Sequence, residues 1–128
     1  MAATYRLDPD RGLVLITLEG PVTCADLDAS RARLRQDPGY DPTWPALVDA
    51  SALNPAGLTT NALRTRAAEI RPSPVRVAIV APADVVFGLA RMYQMMSEGR
   101  GNHIEVFRGM DEAMAWLATG RGEDGSGD

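Results

Sequence analysis

Residues 45–63, PALVDASALNPAGLTTNAL, are the stretch from which the fold of this chain is most clearly predicted. Ala46-Leu47-Val48 is a short apolar run, which is typical of a buried strand. Asp49-Ala50-Ser51 follows at the expected end of that strand, and Asn54-Pro55-Ala56-Gly57 has the composition of a turn. Either residue of the pair Thr59-Thr60 can cap the helix that begins there. A strand, a turn and a helix in this order indicate an α/β protein, whose functional residues usually follow the carboxyl ends of strands.

The rest of the hydrophobic pattern predicts five strands and four helices in the order ββαβαβαβα. The predicted strands are Thr4–Leu7, Leu13–Leu18, Ala46–Val48, Val75–Val80 and His103–Phe107. The first predicted helix begins after its cap, Thr23, and ends at Gln36. The other predicted helices are Thr60–Ile70, Ala83–Ser97 and Gly109–Thr119. The first two strands are expected to form an antiparallel hairpin, the second ending at Glu19-Gly20-Pro21. The later strands alternate with helices and are expected to be parallel. We predict one domain over residues 1–120 and a disordered Gly-rich tail over residues 121–128.

Composition narrows the classes of function. The chain has 128 residues, 45% of them hydrophobic, and a formal net charge of −4. An acidic chain is not expected to bind nucleic acid or an anionic membrane surface, because both require a basic patch. Cys24 is the only cysteine, which excludes an intrachain disulfide and favours the reducing cytoplasm. We expect neither a signal peptide nor a membrane span, because the apolar runs are too short.

The third predicted helix carries more apolar side chains than one buried stripe requires. One stripe consists of Val86, Leu89, Ala90 and Tyr93, and a second consists of Val85, Met92 and Met96. The second stripe is expected to mediate self-association as a two-fold dimer. The alternative is that a loop such as Asp41–Trp44 covers it within one chain. The arginines of the first two helices, Arg31, Arg33, Arg35, Arg64 and Arg66, are expected mostly on faces turned away from the core.

No pattern in the sequence indicates catalysis, a metal site or a cofactor. His103 is the only histidine, and its one neighbouring candidate ligand, Glu105, is too few for a zinc site. Cys24 lies near a helix N-terminus but beside aspartates that oppose a thiolate. Asp49 and Ser51 lack a nearby base, and we expect both to accept or donate hydrogen bonds in the turn that leaves the strand.

Four stretches resemble the STAS superfamily of sulfate-transporter and anti-sigma-factor antagonist domains, and most closely its SpoIIAA-like branch of small bacterial proteins. They are residues 15–23 (LITLEGPVT), 46–60, 76–93 (RVAIVAPADVVFGLARMY) and 104–117 (IEVFRGMDEAMAWL). The resemblance implies a mixed, mostly parallel five-stranded sheet with four helices. Anti-sigma-factor antagonists carry Asp-Ser-Ser-Gly-Leu at the start of helix two, whereas this chain has Asn54-Pro55-Ala56-Gly57-Leu58. The phosphorylated serine is therefore replaced by Pro55, and the phospho-switch is not carried over.

The resemblance implies a non-enzymatic regulatory module that binds a protein partner or itself, through the loop Asn54–Thr60 and the helix Val85–Met96. The alternative is a small-molecule or lipid-binding module, since the fold also resembles the CRAL-TRIO domain in outline. Its apolar pocket would lie between helices two and three, with Arg91 available for an acidic head group. The residues expected to line this pocket are Leu63, Val86, Leu89, Ala90 and Tyr93. The candidate binding residues are Asp49, Ser51, Asn54, Gly57, Thr59, Thr60, Val86, Leu89, Arg91, Met92, Tyr93 and Met96.

Overall fold

A computed structural model, which describes residues 3–69, 75–98 and 103–126, contains a five-stranded sheet and four α-helices in these ranges. The strands are β1 Ala3–Asp8, β2 Leu13–Pro21, β3 Ala46–Asn54, β4 Arg76–Val80 and β5 His103–Phe107, and the helices are α1 Cys24–Gln36, α2 Thr60–Glu69, α3 Asp84–Ser97 and α4 Met110–Ser126. A 3-10 turn, Pro55–Gly57, precedes α2. The predicted order ββαβαβαβα is confirmed. No helix in the described ranges is long and apolar enough to cross a bilayer.

The strands lie in the sheet in the order in which they occur in the chain, β1-β2-β3-β4-β5. β1 and β2 are antiparallel, as the tight turn between them predicts, and the other three pairings are parallel. In the register of the three central strands, Leu15 of β2 lies opposite Leu47 of β3, which lies opposite Ala78 of β4. Opposite residues share a face, so the alternation along these strands divides the sheet into two apolar surfaces.

The second strand is longer than predicted. The prediction that Glu19-Gly20-Pro21 ends β2 is wrong, because the strand continues to Pro21, which lies opposite Asn54 of β3. Gly20 has φ of 66°, a conformation that glycine adopts without a steric penalty. Pro21 is the last residue of the strand, where the missing backbone N–H is tolerated.

The third strand is also longer than predicted, and Asp49 and Ser51 lie inside it instead of in a turn. Two residues of β3, Ala50 and Ser51, lie opposite Leu18 of β2, so the register contains a β-bulge at this point. The carboxylate of Asp49 accepts a hydrogen bond from the backbone N–H of Ser51 at 3.0 Å. This bond satisfies a donor that the bulge removes from the ladder, and Asp49 therefore supports the backbone of the strand.

The helices cover the two faces of the sheet unequally. On one face, Leu18 and Ala50 of the sheet pack with Val86 of α3 and Leu27 of α1. On the other, Leu47 packs with Leu117 of α4. α2 contacts mainly its neighbours α1 and α3. It is therefore held by helices and stands away from the strands.

Local capping signals specify where the helices begin. The predicted capping box at the start of α1 is present, since Thr23 and Asp26 bond each other's backbone N–H groups. Thr59 is the residue that caps α2, through the backbone N–H of Ala62 at 3.1 Å. Ile70, the last predicted residue of α2, lies outside the described residues.

α4 continues to Ser126, past Gly120, where the sequence predicts its end. A helix passes through a glycine at a loss of only about 1 kcal/mol, so Gly120 does not oblige it to stop. The division into a domain over residues 1–120 and a disordered tail over residues 121–128 stays a prediction.

Asp49→Ala is expected to lower the free energy of unfolding by about 1 kcal/mol, because the Ser51 N–H of the bulge loses its acceptor. The loss is at the low end of the usual range because Ser51 is exposed and water can replace the carboxylate. Denaturant unfolding of the variant measures the change. Asp49→Asn, which keeps an acceptor oxygen, is the control, and equal destabilisation of both variants would contradict the role assigned to the bond.

Candidate functional site

A large cavity lies between the sheet and the layer formed by α1, α2 and α3. Its volume is about 680 Å³, which is within the range of small-molecule sites in proteins. The floor consists of apolar residues on the helix-covered face of the sheet, and the roof consists of helix side chains. The floor includes Val14, Ile16, Leu18, Val48, Ala50, Val77 and Ile79.

The pocket predicted between helices two and three corresponds to part of this cavity. All five of the predicted lining residues contribute to its wall: Leu63, Val86, Leu89, Ala90 and Tyr93. The cavity also reaches α1, through Leu27 and Leu34, and the segment before β3, through Trp44. Arg91, which was expected to serve an acidic head group, is exposed on α3 and is not among the lining residues.

Among the described residues, the arginines that line the cavity are instead Arg31 and Arg35 of α1 and Arg66 of α2. The expectation that Arg31 and Arg66 point away from the core is therefore wrong. The inward stripe of α1 is Leu27, Ser30, Arg31 and Leu34, at positions i, i+3, i+4 and i+7, so polar residues occupy positions where a packed helix carries apolar ones. That pattern was the signal in the sequence for a cavity with a polar group in its wall.

Arg31 is a partly buried cation that makes no hydrogen bond or ion pair within the described part of the chain. Burial lowers the pKa of its guanidinium, and the positive charge of nearby Arg66 lowers it further. Tyr93 and, more weakly, the exposed carboxylate of Asp28 act in the opposite direction on this pKa. An arginine stays protonated under such shifts, so the cavity wall contains a cation that lacks a counter-ion in contact with it.

Arg66 has a partner at the surface. Its guanidinium forms an ion pair with the carboxylate of Asp28, which links α2 to α1. The Arg66 side chain is only 14% exposed, whereas that of Asp28 is 69% exposed. Arg31 and Arg66 also line a smaller pocket of about 340 Å³ on the outer side of α1 and α2, together with Cys24 and the carboxylates of Asp28 and Glu69. These two arginines therefore form the wall between the apolar cavity and the surface.

The solvent-facing end of the cavity is marked by its exposed lining residues. Among the described lining residues these are Arg35, Pro42 and His103, and each lies near the end of the sheet where β3, β4 and β5 begin. No carboxylate occurs among the described lining residues. The cavity thus combines apolar walls with positive charge, from its entrance to the seam between α1 and α2.

The segment between α1 and β3 closes one side of this entrance. The hydroxyl of Tyr5 on β1 donates a hydrogen bond to the Asp37 carboxylate at 2.7 Å. The backbone N–H of Gly39 donates to the same carboxylate at 2.9 Å, and these bonds hold the pKa of Asp37 below its usual value. Tyr40 and Trp44, which follow, line the cavity. Asp37 therefore anchors to β1 a segment that contributes part of the wall.

The loop after β3, where the sequence predicted a binding surface, mainly supports its own backbone. Asn54 accepts a hydrogen bond from the backbone N–H of Ala56 at 3.1 Å, and Thr59 caps α2. Thr60 is exposed as the first residue of that helix. Of the loop Asn54–Thr60, only Leu58 lines the cavity. The other loop residues are not brought together with the cavity.

Gly57 is required by a close approach of two segments. A Cβ atom at this position would lie 2.9 Å from the backbone oxygen of Val22 and 3.1 Å from a methyl carbon of Thr23. The first of these distances is shorter than real Cβ contacts, so a larger residue would push the turn away from the start of α1. This steric role accounts for Gly57 without a ligand.

The second apolar stripe of α3 is not uniformly exposed. Met92 and Met96 are half-buried, whereas Val85 and Met95 are 73% and 57% exposed. The exposed apolar area of this helix therefore includes Met95, which the sequence pattern did not place in the stripe. Its interface role stays a prediction.

The candidate nucleophiles do not meet the only histidine. Asp49 lies opposite Val80, which lies opposite Phe107, whereas His103 begins β5 four residues earlier. At about 3.3 Å per residue this separates His103 from Asp49 by roughly 13 Å along the strands. Burial raises the pKa of the Cys24 thiol, which disfavours the thiolate. No group of three or more potential metal ligands occurs among the described residues.

Comparison with known proteins supports the fold. No protein-family model matches the chain, and no curated protein matches it. Among solved structures, an uncharacterized DUF3478-family protein with a SpoIIAA-like fold, from Shewanella loihica PV-4, matches with a TM-score of 0.55. The two sequences are 19% identical, and the match covers 91% of this chain and 92% of the other. The chain therefore has a SpoIIAA-like fold, and the resemblance found in the sequence is confirmed at that level.

Tyr5→Phe is expected to raise the pKa of Asp37 towards its ordinary value, because one of the two bonds to the carboxylate is lost. The low pKa means that ionised Asp37 stabilises the folded chain above about pH 4, and that this stabilisation is lost as the pH falls through the folded-state pKa. The variant should therefore lose less stability on acidification than the parent. Titration of carboxyl carbons by NMR measures the pKa.

Asp41 is an internal control for that titration. The backbone N–H and the hydroxyl of Thr43 hold its pKa low, independently of Tyr5. A Tyr5→Phe variant that shifts Asp41 as much as Asp37 would indicate a general rearrangement of the segment instead of the loss of one bond.

Proposed function

We propose that this chain is a non-enzymatic binding module that takes up one small, mainly apolar molecule in the cavity between its sheet and helices α1 to α3. The observation that carries the proposal is the apolar cavity of about 680 Å³, which is lined by residues of the central strands β2, β3 and β4 and of the helices α1, α2 and α3. Protein interiors are normally close-packed, and walls that face empty volume lose dispersion contacts. A ligand that restores these contacts binds the folded chain and stabilises it.

The position of the residues that could perform chemistry supports binding over catalysis. His103 is far along the strands from Asp49, and burial raises the pKa of the Cys24 thiol. The cavity therefore offers surface and charge to a ligand but no nucleophile–base pair among the described residues. Regulation of a partner by the bound or empty state, as the fold resemblance implies, is part of the same proposal.

Ala90→Phe is expected to block the cavity, because the added ring projects from the α3 wall into the space that a ligand would fill. Binding of the neutral apolar dye N-phenyl-1-naphthylamine, followed by its fluorescence, should weaken at least about tenfold, corresponding to 1.4 kcal/mol. Ala32→Phe, at an exposed position of α1, is the matched control. Native mass spectrometry of freshly purified chain tests for a retained ligand. Absence of dye binding to the parent, or unchanged binding to Ala90→Phe, would contradict the proposal.

A second candidate function is association through α3, with a protein partner or with a second copy of the chain. The observation that favours it is an apolar strip on one side of α3, in which Val85 and Met95 are exposed and Met92 and Met96 are half-buried. Contiguous apolar patches at a surface often mark an interface. The loop Asn54–Thr60 would lie near the start of the same surface. A symmetric pair of chains is the commonest way to cover such a patch.

The double substitution Val85→Glu and Met95→Glu is expected to reduce the hydrodynamic size of the chain if two copies meet through α3. Both side chains are exposed, so the charges should not unfold the monomer. Sedimentation velocity measures the size, and circular dichroism checks the fold. Met110→Glu, which changes an exposed methionine of α4, is the control. An unchanged size of the folded double variant would exclude self-association through this helix.

A further inference from the structure

The charge of the cavity is opposite to that of the chain as a whole. The chain has 17 acidic and 13 basic residues, yet the described lining residues include three arginines and no carboxylate. Charges of one sign between low-dielectric walls attract ligands of the other sign more strongly than the same charges at an open surface. An uncharged apolar ligand would leave this feature without a function.

We infer that the ligand is a single-chain amphiphile with a monoanionic carboxylate head group, held at the seam of α1 and α2 between Arg31 and Arg66. This inference rests on the proposed function, since it assigns the charged end of the molecule that fills the cavity. Arg31 lines the cavity and has no contacting partner among the described residues, so its donors are free to bind a carboxylate. A guanidinium binds a carboxylate through two parallel hydrogen bonds, which makes arginine well suited to this task.

The charges at the seam select a monoanion. Arg31 and Arg66 contribute two positive charges, and Asp28 and Glu69, which line the outer pocket with them, contribute two negative charges. On the cavity side, the described lining residues include no carboxylate, so the two arginines face no counter-ion there. A carboxylate adds one negative charge to this balanced set, whereas a phosphate monoester adds close to two at neutral pH and is therefore repelled more strongly by Asp28 and Glu69. Asp28 is mostly exposed, so water can solvate it when the head group takes over part of the coordination of Arg66.

The size of the cavity favours one chain over two. A group the size of a water molecule occupies about 30 Å³, so a cavity of about 680 Å³ holds on the order of 20 such groups. One alkyl chain with its carboxylate fits within this number, whereas a complete two-chain lipid has at least twice as many heavy atoms. Arg35 at the entrance places a further positive charge along the path of the head group.

Displacement of N-phenyl-1-naphthylamine from the intact chain tests this inference with three competitors of equal chain length: dodecanoate, dodecan-1-ol and dodecyl phosphate. Dodecanoate should displace the dye at concentrations about tenfold lower than dodecan-1-ol, as expected for hydrogen bonds to a charged group. Dodecyl phosphate should be weaker than dodecanoate. In Arg31→Gln the dye should still bind, which shows that the cavity is intact, and the preference for dodecanoate over the alcohol should disappear.

Two further variants make the test specific. Arg64→Gln removes an exposed arginine of α2 that does not line the cavity, and the preference should be retained. Asp28→Asn removes the carboxylate that forms an ion pair with Arg66, so dodecanoate should bind more tightly and dodecyl phosphate should gain more than dodecanoate does. A purely structural role of the Asp28–Arg66 ion pair would not increase affinity for either anion.

The outcomes separate this inference from the proposed function. If the dye does not bind the parent chain, the proposed function is wrong. If the dye binds but dodecanoate and dodecan-1-ol compete equally, the cavity is a binding site and the carboxylate inference is wrong. Retention of the carboxylate preference in Arg31→Gln, or its loss in Arg91→Gln instead, would also overturn the assignment of the head group to the seam.

Discussion

A mostly parallel sheet has apolar residues on both faces and requires a layer of helices on each. On the face opposite α4, this layer is formed by three helices, and α2 is held by α1 and α3 and not by the strands. α1 does not supply enough apolar surface to close the layer, because its inward stripe contains Ser30 and Arg31. The cavity is the direct consequence of this incomplete packing.

Two kinds of interaction are missing in this cavity, namely contacts to its apolar walls and a counter-ion for Arg31. Its apolar walls lack neighbours over a volume of about 680 Å³, and Arg31 has no counter-ion in contact with it among the described residues. Dispersion contacts and a charge-assisted hydrogen bond are the interactions that would correct them. A single amphiphilic molecule supplies both, which is why the geometry favours a ligand with an apolar body and one anionic end.

The location of the cavity also explains why the loop after β3 is not its entrance. In open α/β proteins, ligands usually bind outside the carboxyl ends of the strands, but this cavity lies between the sheet and the helices. Its exposed residues, Arg35, Pro42 and His103, lie at the opposite ends of β3, β4 and β5. The loop Asn54–Thr60 instead serves the fold: Asn54 and Thr59 satisfy backbone donors, and Gly57 allows close contact with Val22.

The sequence by itself determined the order of the elements, because hydrophobic periodicity, the capping box at Thr23 and the turn residues after Asp8 act within a few positions of the chain. The extensions of β2 and β3 were decided by the tertiary structure, since the bulge at Asp49 and the pairing of Pro21 with Asn54 depend on the neighbouring strand. The candidate site was likewise determined in part by the sequence and in part by the tertiary structure. The α3 wall followed from one stripe of that helix, and the inward position of Arg31 follows from its spacing with Leu27 and Leu34, whereas the position of Arg66 and the volume of the cavity depend on how far α2 stands from the sheet. Such distances between elements are set by packing across the whole layer and have no local signal.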